Sequence, residues 1–330
     1  MTRKSAGDGT AGNEARMSMQ ESVGAEQLDE WMKSLSNWGR WGAADERGTL
    51  NHLTDERRKA ASELVRDGVP VGCSRLIDYG MAEDKQKPAD HYMVASGDVF
   101  RQGEGPALQT AADYFGLVFH GNGVTHVDGL SHFFWDGRMY NGFESAAVSQ
   151  PLGATKHSVD VASAGIVGRG VLVDVPRIRG VDYVSRQDGV RPDDIARAEQ
   201  ECGFEVAPGD ILLIRTGQLA QRKMSGPVNP IREGCAGPDP SLLPLLHERS
   251  VSVLAGDGPN ESYPAANPKY SAPIHQIGIV AMGLWLLDHV DMEDLAAHCA
   301  SVGRWTFLFV IAPLRISHGT GSPVNPIALF

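Results

Sequence analysis

Apolar runs without alternation constrain the fold of this chain more than any other feature of its sequence. The run Gly-Asp-Ile-Leu-Leu-Ile-Arg-Thr-Gly at 209–217 places four consecutive aliphatic residues between polar or small neighbours. Such a run is typical of a strand covered on both faces, because a strand with one solvated face alternates apolar and polar residues. The sequence predicts strands in six segments: 70–79, 114–120, 170–175, 210–216, 251–255 and 305–311.

Helix signals lie between these strands. Thr54 is a good N-cap for a helix that carries an apolar stripe and ends before Gly68. Further helices are predicted at 27–38, 192–201, 242–248 and 292–299. Strands and helices alternate without a clear hinge, so we expect a single α/β domain over residues 26–330. Residues 1–25 hold too few apolar groups to offset the entropy of ordering, which predicts a disordered N-terminal tail.

Length, charge and cysteine content exclude several classes of protein. The chain has 330 residues and a formal net charge of -11, which opposes a nucleic-acid binder because such a protein needs a basic face. No run approaches the ~20 apolar residues that span a bilayer, and the polar N-terminus lacks a secretory apolar segment. We therefore expect a cytoplasmic protein without a membrane partner. The four cysteines lack Cys-x-x-Cys spacing, which favours reduced thiols.

One short segment concentrates metal-binding chemistry. Of the 11 histidines in the chain, His120, His126 and His132 lie within 13 residues together with Asp128. His126 and Asp128 are two positions apart, so in an extended backbone both side chains leave the same face. An imidazole nitrogen beside a carboxylate oxygen suits Zn²⁺ or Mn²⁺ better than Ca²⁺, which prefers oxygen ligands alone. A His-x-Asp pair is by itself a weak pattern, and hydrogen-bonded structural histidines are the alternative.

This segment resembles a known family of enzymes. Thr125-His126-Val-Asp128-Gly-Leu-Ser-His132 matches the second half of the motif His-x-Gly-Thr-His-x-Asp-x-x-x-His. That motif is typical of the cyclase-like metal-dependent hydrolases, which include bacterial kynurenine formamidase and isatin hydrolase. The resemblance covers residues 37–330 and is closest to the longer branch of that family. Its further blocks lie at 41–51, 134–142, 169–174, 209–217, 255–257 and 319–326.

The resemblance implies a fold and a set of site residues. The fold would be a swivelling β/α/β arrangement, in which helices flank a mixed sheet. His126 and Asp128 fall on metal ligands of the family, and His132 falls on its catalytic acid and base. His275 and Asp288 match a later histidine and its acidic or amide partner, so they would complete a second metal position or bind the attacking water. The family usually has Glu or Gln where this chain has the shorter Asp288.

The first histidine of the motif is replaced by Asn122 in this chain. An amide oxygen is a poorer zinc ligand than an imidazole nitrogen, which leaves three interpretations. Asn122 binds a harder ion such as Mn²⁺ through its oxygen. Alternatively His120 replaces it, which requires a turn at Gly121 or Gly123, because along a straight strand His120 would lie ~20 Å from His126. In the third interpretation the site has lost its metal.

The resemblance implies hydrolysis of an amide, lactam or ester bond by a metal-activated water. The substrate would be a small carbonyl compound that is aromatic or cyclic. His132 would take the proton of the water and deliver it to the leaving group, while Trp41 and Phe134 would wall the substrate pocket. A homodimer or homotetramer is expected. The alternative is a metal-poor family member that acts as a cyclase, a dehydratase or a binding protein because of Asn122.

Overall fold

The structure is a computed structural model that describes residues 23–85, 87–106 and 108–330. Within these ranges the chain forms thirteen strands, numbered β1 to β13 in chain order. Their bounds are Pro70–Gly72, Asp90–Ala95, Ala112–Gly116, His126–Asp128, Val148–Ser149, Gly153–Ala154, Ile166–Asp174, Ile211–Arg215, Val253–Gly256, Trp285–Asp288, Thr306–Ile311, Gly321–Pro323 and Ile327–Leu329.

Eight α-helices, α1 to α8, and one π-helix at Ile274–Met282 accompany the strands within the described ranges. Helices α2 and α4 pack against β7, and α8 packs against β1, so helices cover the sheet from its central strands to its edge. In chain order, the α-helices span Ala25–Ser34, Asp55–Ser62, Val175–Arg179, Pro192–Cys202, Gln218–Ser225, Pro230–Glu233, Leu243–Glu248 and Glu293–Val302.

Nine of the strands form one mixed sheet, in the order β1-β13-β11-β7-β8-β9-β10-β4-β12. Strands β7 to β10 are parallel to one another, and antiparallel strands flank them on both sides. The side chains of Ile211–Arg215 are buried except at the last residue, as a strand covered on both faces requires. A single cluster of buried apolar side chains extends from Leu28 to Phe330. The predicted mixed α/β fold class is thereby confirmed.

The predicted elements agree with the structure in position more than in length. Each of the six predicted strand segments overlaps an observed strand, and each predicted helix overlaps an observed helix. The predicted tail falls on residues that lie outside the described ranges, apart from 23–25, and α1 begins at Ala25. Two strands that hold site residues, β4 and β10, were absent from the predicted strands. The apolar run that contains β10 is shared with the π-helix, and the two elements meet at Gly283.

The β2–β3 pair forms a small separate sheet that is highly exposed. Tyr92 and Tyr114 stack across the two strands with ring centroids 4.8 Å apart, and 57 % and 45 % of their surfaces remain exposed. The large apolar residues that are exposed in this part of the chain are Leu76, Tyr79, Met81, Tyr92, Met93, Val94, Val99, Leu108, Tyr114, Phe115 and Val118. Among the described residues, more than half of the exposed large apolar side chains therefore lie in the segment 76–118, which contains this hairpin.

Candidate metal centre

Strand β4 positions the two central residues of the site. It lies between β10 and β12, and Val127 at its middle belongs to the hydrophobic core. Because side chains alternate along a strand, His126 and Asp128 both point away from the side on which Val127 packs. The antiparallel register places Asp288, the last residue of β10, opposite His126. Two segments that are far apart in sequence thus meet at one end of the sheet.

Asp128 is the centre of a group of imidazoles. Its Oδ1 lies 2.9 Å from His120 Nδ1, 3.5 Å from His126 Nε2 and 3.9 Å from His132 Nε2. Its Oδ2 lies 3.6 Å from His275 Nε2, which is also 3.6 Å from Asp288 Oδ2. The structure therefore brings together His120, His126, Asp128, His132, His275 and Asp288, all of which the sequence predicts as site residues.

The donor atoms fit a divalent cation. Asp128 is 1 % exposed, and neither of its carboxylate oxygens accepts a hydrogen bond within the described chain. A buried carboxylate without donors is costly unless a cation compensates it. Two sets of side chains have ligand atoms close enough to share one ion, namely His120 with Asp128 and His132, and His126 with Asp128 and Asp288. Asp128 belongs to both sets, so it would join two ion positions if both were filled.

Burial and neighbouring charges shift the pKa values of His132 and His275 in opposite directions. Burial lowers the pKa of His132 to about 4, despite the nearby Asp128 carboxylate, so the ring is neutral at pH 7. Burial also opposes the charged form of His275, but the nearby carboxylates of Asp128, Asp288 and Glu261 raise its pKa well above the usual value. For the carboxyl group of Asp128, burial alone would raise the pKa, and the imidazoles around it lower the pKa well below its ordinary range.

A buried carboxylate that the sequence did not predict orients His275. Glu261 Oε1 lies 2.9 Å from His275 Nδ1 and also accepts the backbone N–H of His275 at 2.9 Å. This contact directs Nε2 of the ring toward Asp128 and Asp288, as the carboxylate partners of metal-binding histidines commonly do. Glu261 follows shortly after the block at 255–257. Its distance from His275 in the sequence matches no motif spacing, so the sequence alone does not indicate this contact.

Asp288 is held by the neighbouring loop. Asn260 Nδ2 donates hydrogen bonds to Asp288 Oδ1 at 2.6 Å and to the carbonyl of Leu287 at 3.0 Å. Both side chains are buried. One carboxylate oxygen of Asp288 is thus fixed by the amide, and the other faces His275. The shorter Asp side chain still reaches the group around Asp128.

His120 enters the site through a turn in the backbone. Gly121 has φ of 135°, and this turn brings the His120 ring centroid to 5.4 Å from that of His126. The His120 ring stacks on His132 at 3.8 Å, and Thr320 Oγ1 lies 3.0 Å from its Nε2. A Cβ atom on Gly321 would lie 2.8 Å from the His120 ring, so the chain needs glycine there. This is the path that the second interpretation of the Asn122 replacement requires.

A cleft of about 160 Å³ opens onto these side chains, and we call it the Asp128 cleft. Phe133, Ala272 and Tyr263 contribute apolar surface to its wall. The other lining residues are Gly121, Asn122, His126, Asp128, His132, Ile231, Pro259, His275, Asp288 and His289.

The structure does not bring the predicted pocket residues Trp41 and Phe134 to the Asp128 cleft. The Trp41 ring packs edge-on against His52 at 5.1 Å, and Phe134 is 41 % exposed. The aromatic wall comes instead from Phe133, whose ring centroid lies 4.8 Å from that of His275. The side chains of adjacent residues point in different directions. A sequence motif therefore locates the segment near the cleft better than the particular aromatic ring that lines it.

Comparison with known proteins agrees with this geometry. The model of the Cyclase family matches residues 64–261. A crystal structure of a novel cyclase is 31 % identical and superposes with a TM-score of 0.82, covering 90 % of this chain and 100 % of that one. The chain therefore belongs to the Cyclase family, which confirms the family resemblance.

More distant structures share the fold. Isatin hydrolase A from Labrenzia aggregata, bound to benzyl benzoate, is 22 % identical with a TM-score of 0.54, covering 84 % of this chain and 98 % of that one. An isatin hydrolase bound to the product analogue thioisatinate is 18 % identical with a TM-score of 0.55, covering 85 % of this chain and 98 % of that one. No curated protein sequence matches the chain. None of the helices in the described ranges is long and apolar enough to cross a bilayer.

Proposed function

We propose that this protein is a metal-dependent hydrolase that cleaves an amide, lactam or ester bond of a small carbonyl compound. The observation that carries the proposal is the Asp128 carboxylate, which is buried without hydrogen-bond donors and faced by imidazoles from several segments. Hydrogen-bonded structural histidines, the alternative explanation, would have satisfied these oxygens. Membership of the Cyclase family, together with the isatin hydrolases that share its fold, supports the same reaction class.

The side chains that would hold the ion are His120, His126, Asp128 and Asp288, the members of the two sets other than His132. Mixed nitrogen and oxygen ligands favour Zn²⁺ or Mn²⁺. Bound in such a site, a divalent ion makes water more acidic and polarises a carbonyl group. Because His120 occupies a position next to Asp128, we assign the place of the missing motif histidine to His120 rather than to Asn122.

Proton transfer falls to His132 in this proposal. Its ring is neutral at pH 7, and its side chain keeps 25 % of its surface exposed at the cleft. His132 Nε2 would accept the proton of the attacking water and return it to the departing nitrogen or oxygen. His275, fixed by Glu261, would orient the reacting carbonyl or the attacking water.

The cleft favours a small and flat substrate. Its volume of about 160 Å³ accommodates part of a single-ring or fused-ring compound. The Phe133 ring offers an aromatic face beside His275. Aromatic rings stack favourably in such a geometry. We therefore propose an aromatic or cyclic carbonyl compound as the substrate class.

Hydrolysis and its dependence on metal test this function. Aryl formamides, lactams and aryl esters are incubated with the purified protein before and after dialysis against a chelator. We expect hydrolysis that disappears on chelation and returns when Mn²⁺ or Zn²⁺ is added. The variant His318→Ala is the matched control, since His318 is exposed on a loop outside the Asp128 cleft. Turnover that chelation leaves unchanged would contradict the proposal.

We also propose that the protein is a homodimer or homotetramer. The apolar residues around the β2–β3 hairpin form an exposed surface of the kind that marks an interface between proteins. Light scattering combined with size-exclusion chromatography should give a mass of two or four chains. Val94 is 67 % exposed on β2, and Val94→Asp should reduce that mass, whereas Val181→Asp, at an exposed valine elsewhere, should not. A monomeric wild-type protein would contradict this assembly.

A further inference from the structure

A second cavity lies beside the Asp128 cleft, and arginine side chains dominate its wall. We call it the arginine cavity. Its charged and polar lining includes Arg75, Arg186 and Arg222 with Asp84, Asn122 and His289. Asn122 and His289 also line the Asp128 cleft, so the two cavities share a wall. Three cations and one carboxylate leave this cavity positive, in a chain whose formal net charge is -11.

The Arg75 side chain is half-buried and forms no ion pair with a carboxylate of the described residues. It donates hydrogen bonds to two backbone carbonyls, at 3.1 Å to Asn122 and 2.5 Å to Asp257. Its Nε has no acceptor, and no side-chain carboxylate of the described residues pairs with it. Burial lowers the pKa of Arg75, because the charged form is desolvated. A desolvated charge without an ion pair is stabilised by an opposite charge, so this group favours an anion from outside the chain.

The nearby carboxylates are already occupied. Asp84 forms an ion pair with Arg222. The Asp257 side chain accepts the backbone N–H groups of residues 216–218 and the Thr216 hydroxyl. Among the residues that the structure describes, Arg186 has neither an ion pair nor a side-chain hydrogen bond. Asp257 and Asp84 favour the charged form of Arg75 from a distance, but neither forms an ion pair with Arg75 or Arg186.

His289 provides a donor at the shared wall. Its ring is 1 % exposed, and neither ring nitrogen has a hydrogen-bond partner within the described chain. In either neutral tautomer one of the two nitrogens donates a hydrogen bond. This donor lies on the wall that the two cavities share.

The size of the arginine cavity selects a small anionic group. Its volume is about 30 Å³, which holds roughly two or three water-sized groups. A carboxylate fits this space, and an aromatic ring does not. The fork of a guanidinium also matches the two oxygens of a carboxylate.

We propose that the arginine cavity binds the carboxylate of an acidic substrate while the scissile carbonyl of the same molecule lies in the Asp128 cleft. Arg75 and Arg186 bind the carboxylate, and His289 donates a hydrogen bond between the two groups. The substrate class is thus a small carboxylic acid that carries an amide, lactam or ester. This assignment rests on the proposed hydrolase function for the reaction, but the binding of a carboxylate can be measured separately.

Binding of matched probes to the protein as purified tests this inference. The probes are the N-methanesulfonyl derivatives of glycine, β-alanine and 4-aminobutyrate, each compared with the alcohol that replaces its carboxylate by a hydroxymethyl group. Neither member of a pair contains a bond of the proposed substrate class. Calorimetry should show that at least one carboxylate binds about tenfold more tightly than its alcohol, as a charge-assisted hydrogen bond predicts.

The variant Arg186→Gln decides the result, because this side chain makes no hydrogen bond or ion pair with the described residues that the substitution could remove. It should reduce the preference for the carboxylate to about one. Arg315→Gln, which removes an exposed arginine elsewhere, should retain the preference. A wild-type protein without the preference would overturn the inference. So would a preference that persists in Arg186→Gln, since the carboxylate would then bind another cation. If the protein showed no hydrolase turnover, the proposed function would fail, but these binding ratios would still test the carboxylate site.

Discussion

The Asp128 cleft and the arginine cavity share a wall but are charged in opposite ways. In the cleft, a buried carboxylate lacks hydrogen-bond donors, and in the cavity, the half-buried guanidinium groups of Arg75 and Arg186 form no ion pair with the described residues. Interiors normally pair such groups within the chain. Their separation by His289 and Asn122 indicates that each charge is compensated by something that binds. The first cavity suits a cation, and the second suits an anion attached to the substrate.

The largest effect is expected from the base of the cleft. His132→Ala should lower kcat by roughly 10²- to 10⁴-fold, the usual contribution of a positioned acid or base. The carboxylate preference of the arginine cavity should stay unchanged, because His132 does not line that cavity. Steady-state kinetics checks the first statement and calorimetry with the matched probes checks the second, with metal analysis of the same preparation alongside.

A second outcome of this experiment would change the role of His132. One of its ring nitrogens is also close enough to Asp128 and His120 to share an ion with them. If His132→Ala loses metal together with activity, the residue is a ligand and the assignment as the proton carrier is wrong.

A smaller effect is expected from Glu261, which acts through His275. Glu261→Gln keeps the shape of the side chain and removes its charge, so it should reduce metal affinity or kcat by about 10- to 100-fold, as for other carboxylate partners of histidine. Glu205→Gln, at an exposed carboxylate on the surface, is the control. A Glu261→Gln protein with wild-type metal affinity and wild-type kcat would show that the contact only packs the loop.

The smallest effect is expected at the shared wall. Asn122→Ala should alter metal affinity by less than about threefold if His120 occupies the ligand position, whereas His120→Ala should weaken it by about tenfold or more. Metal titrations of the two variants compare them directly. The reverse order would assign the ligand to the Asn122 amide and would require a different path for the loop.

Much of this site could be predicted because its residues share one short segment. His126 and Asp128 are two positions apart, and the alternation of a strand is enough to place them on one face. The buried strands of the hydrophobic interior were also predicted from the sequence, since four adjacent aliphatic residues are typical of a strand covered on both faces. These inferences need only local geometry.

The remainder depends on contacts between distant segments. Glu261 reaches His275 through loops whose path no local pattern specifies. Strand β10 was hidden because its apolar residues continue those of the π-helix. The π-helix ends at Gly283, which has a left-handed conformation and packs closely on the Tyr140 ring. The arginine cavity joins Arg75 to Arg186 and Arg222 across the fold. Such charge clusters become visible only when the topology is known.

Metal content tests the central claim most directly. The protein is purified without added metal, and the ions bound per chain are measured by atomic emission for the wild type and for Asp128→Asn. Because Asp128 belongs to both sets of ligand atoms, this variant should lose the ion while the isosteric amide preserves packing. We expect about one or two Mn²⁺ or Zn²⁺ ions per wild-type chain and less than about a tenth of that in the variant. Equal metal content in the two proteins would contradict the account.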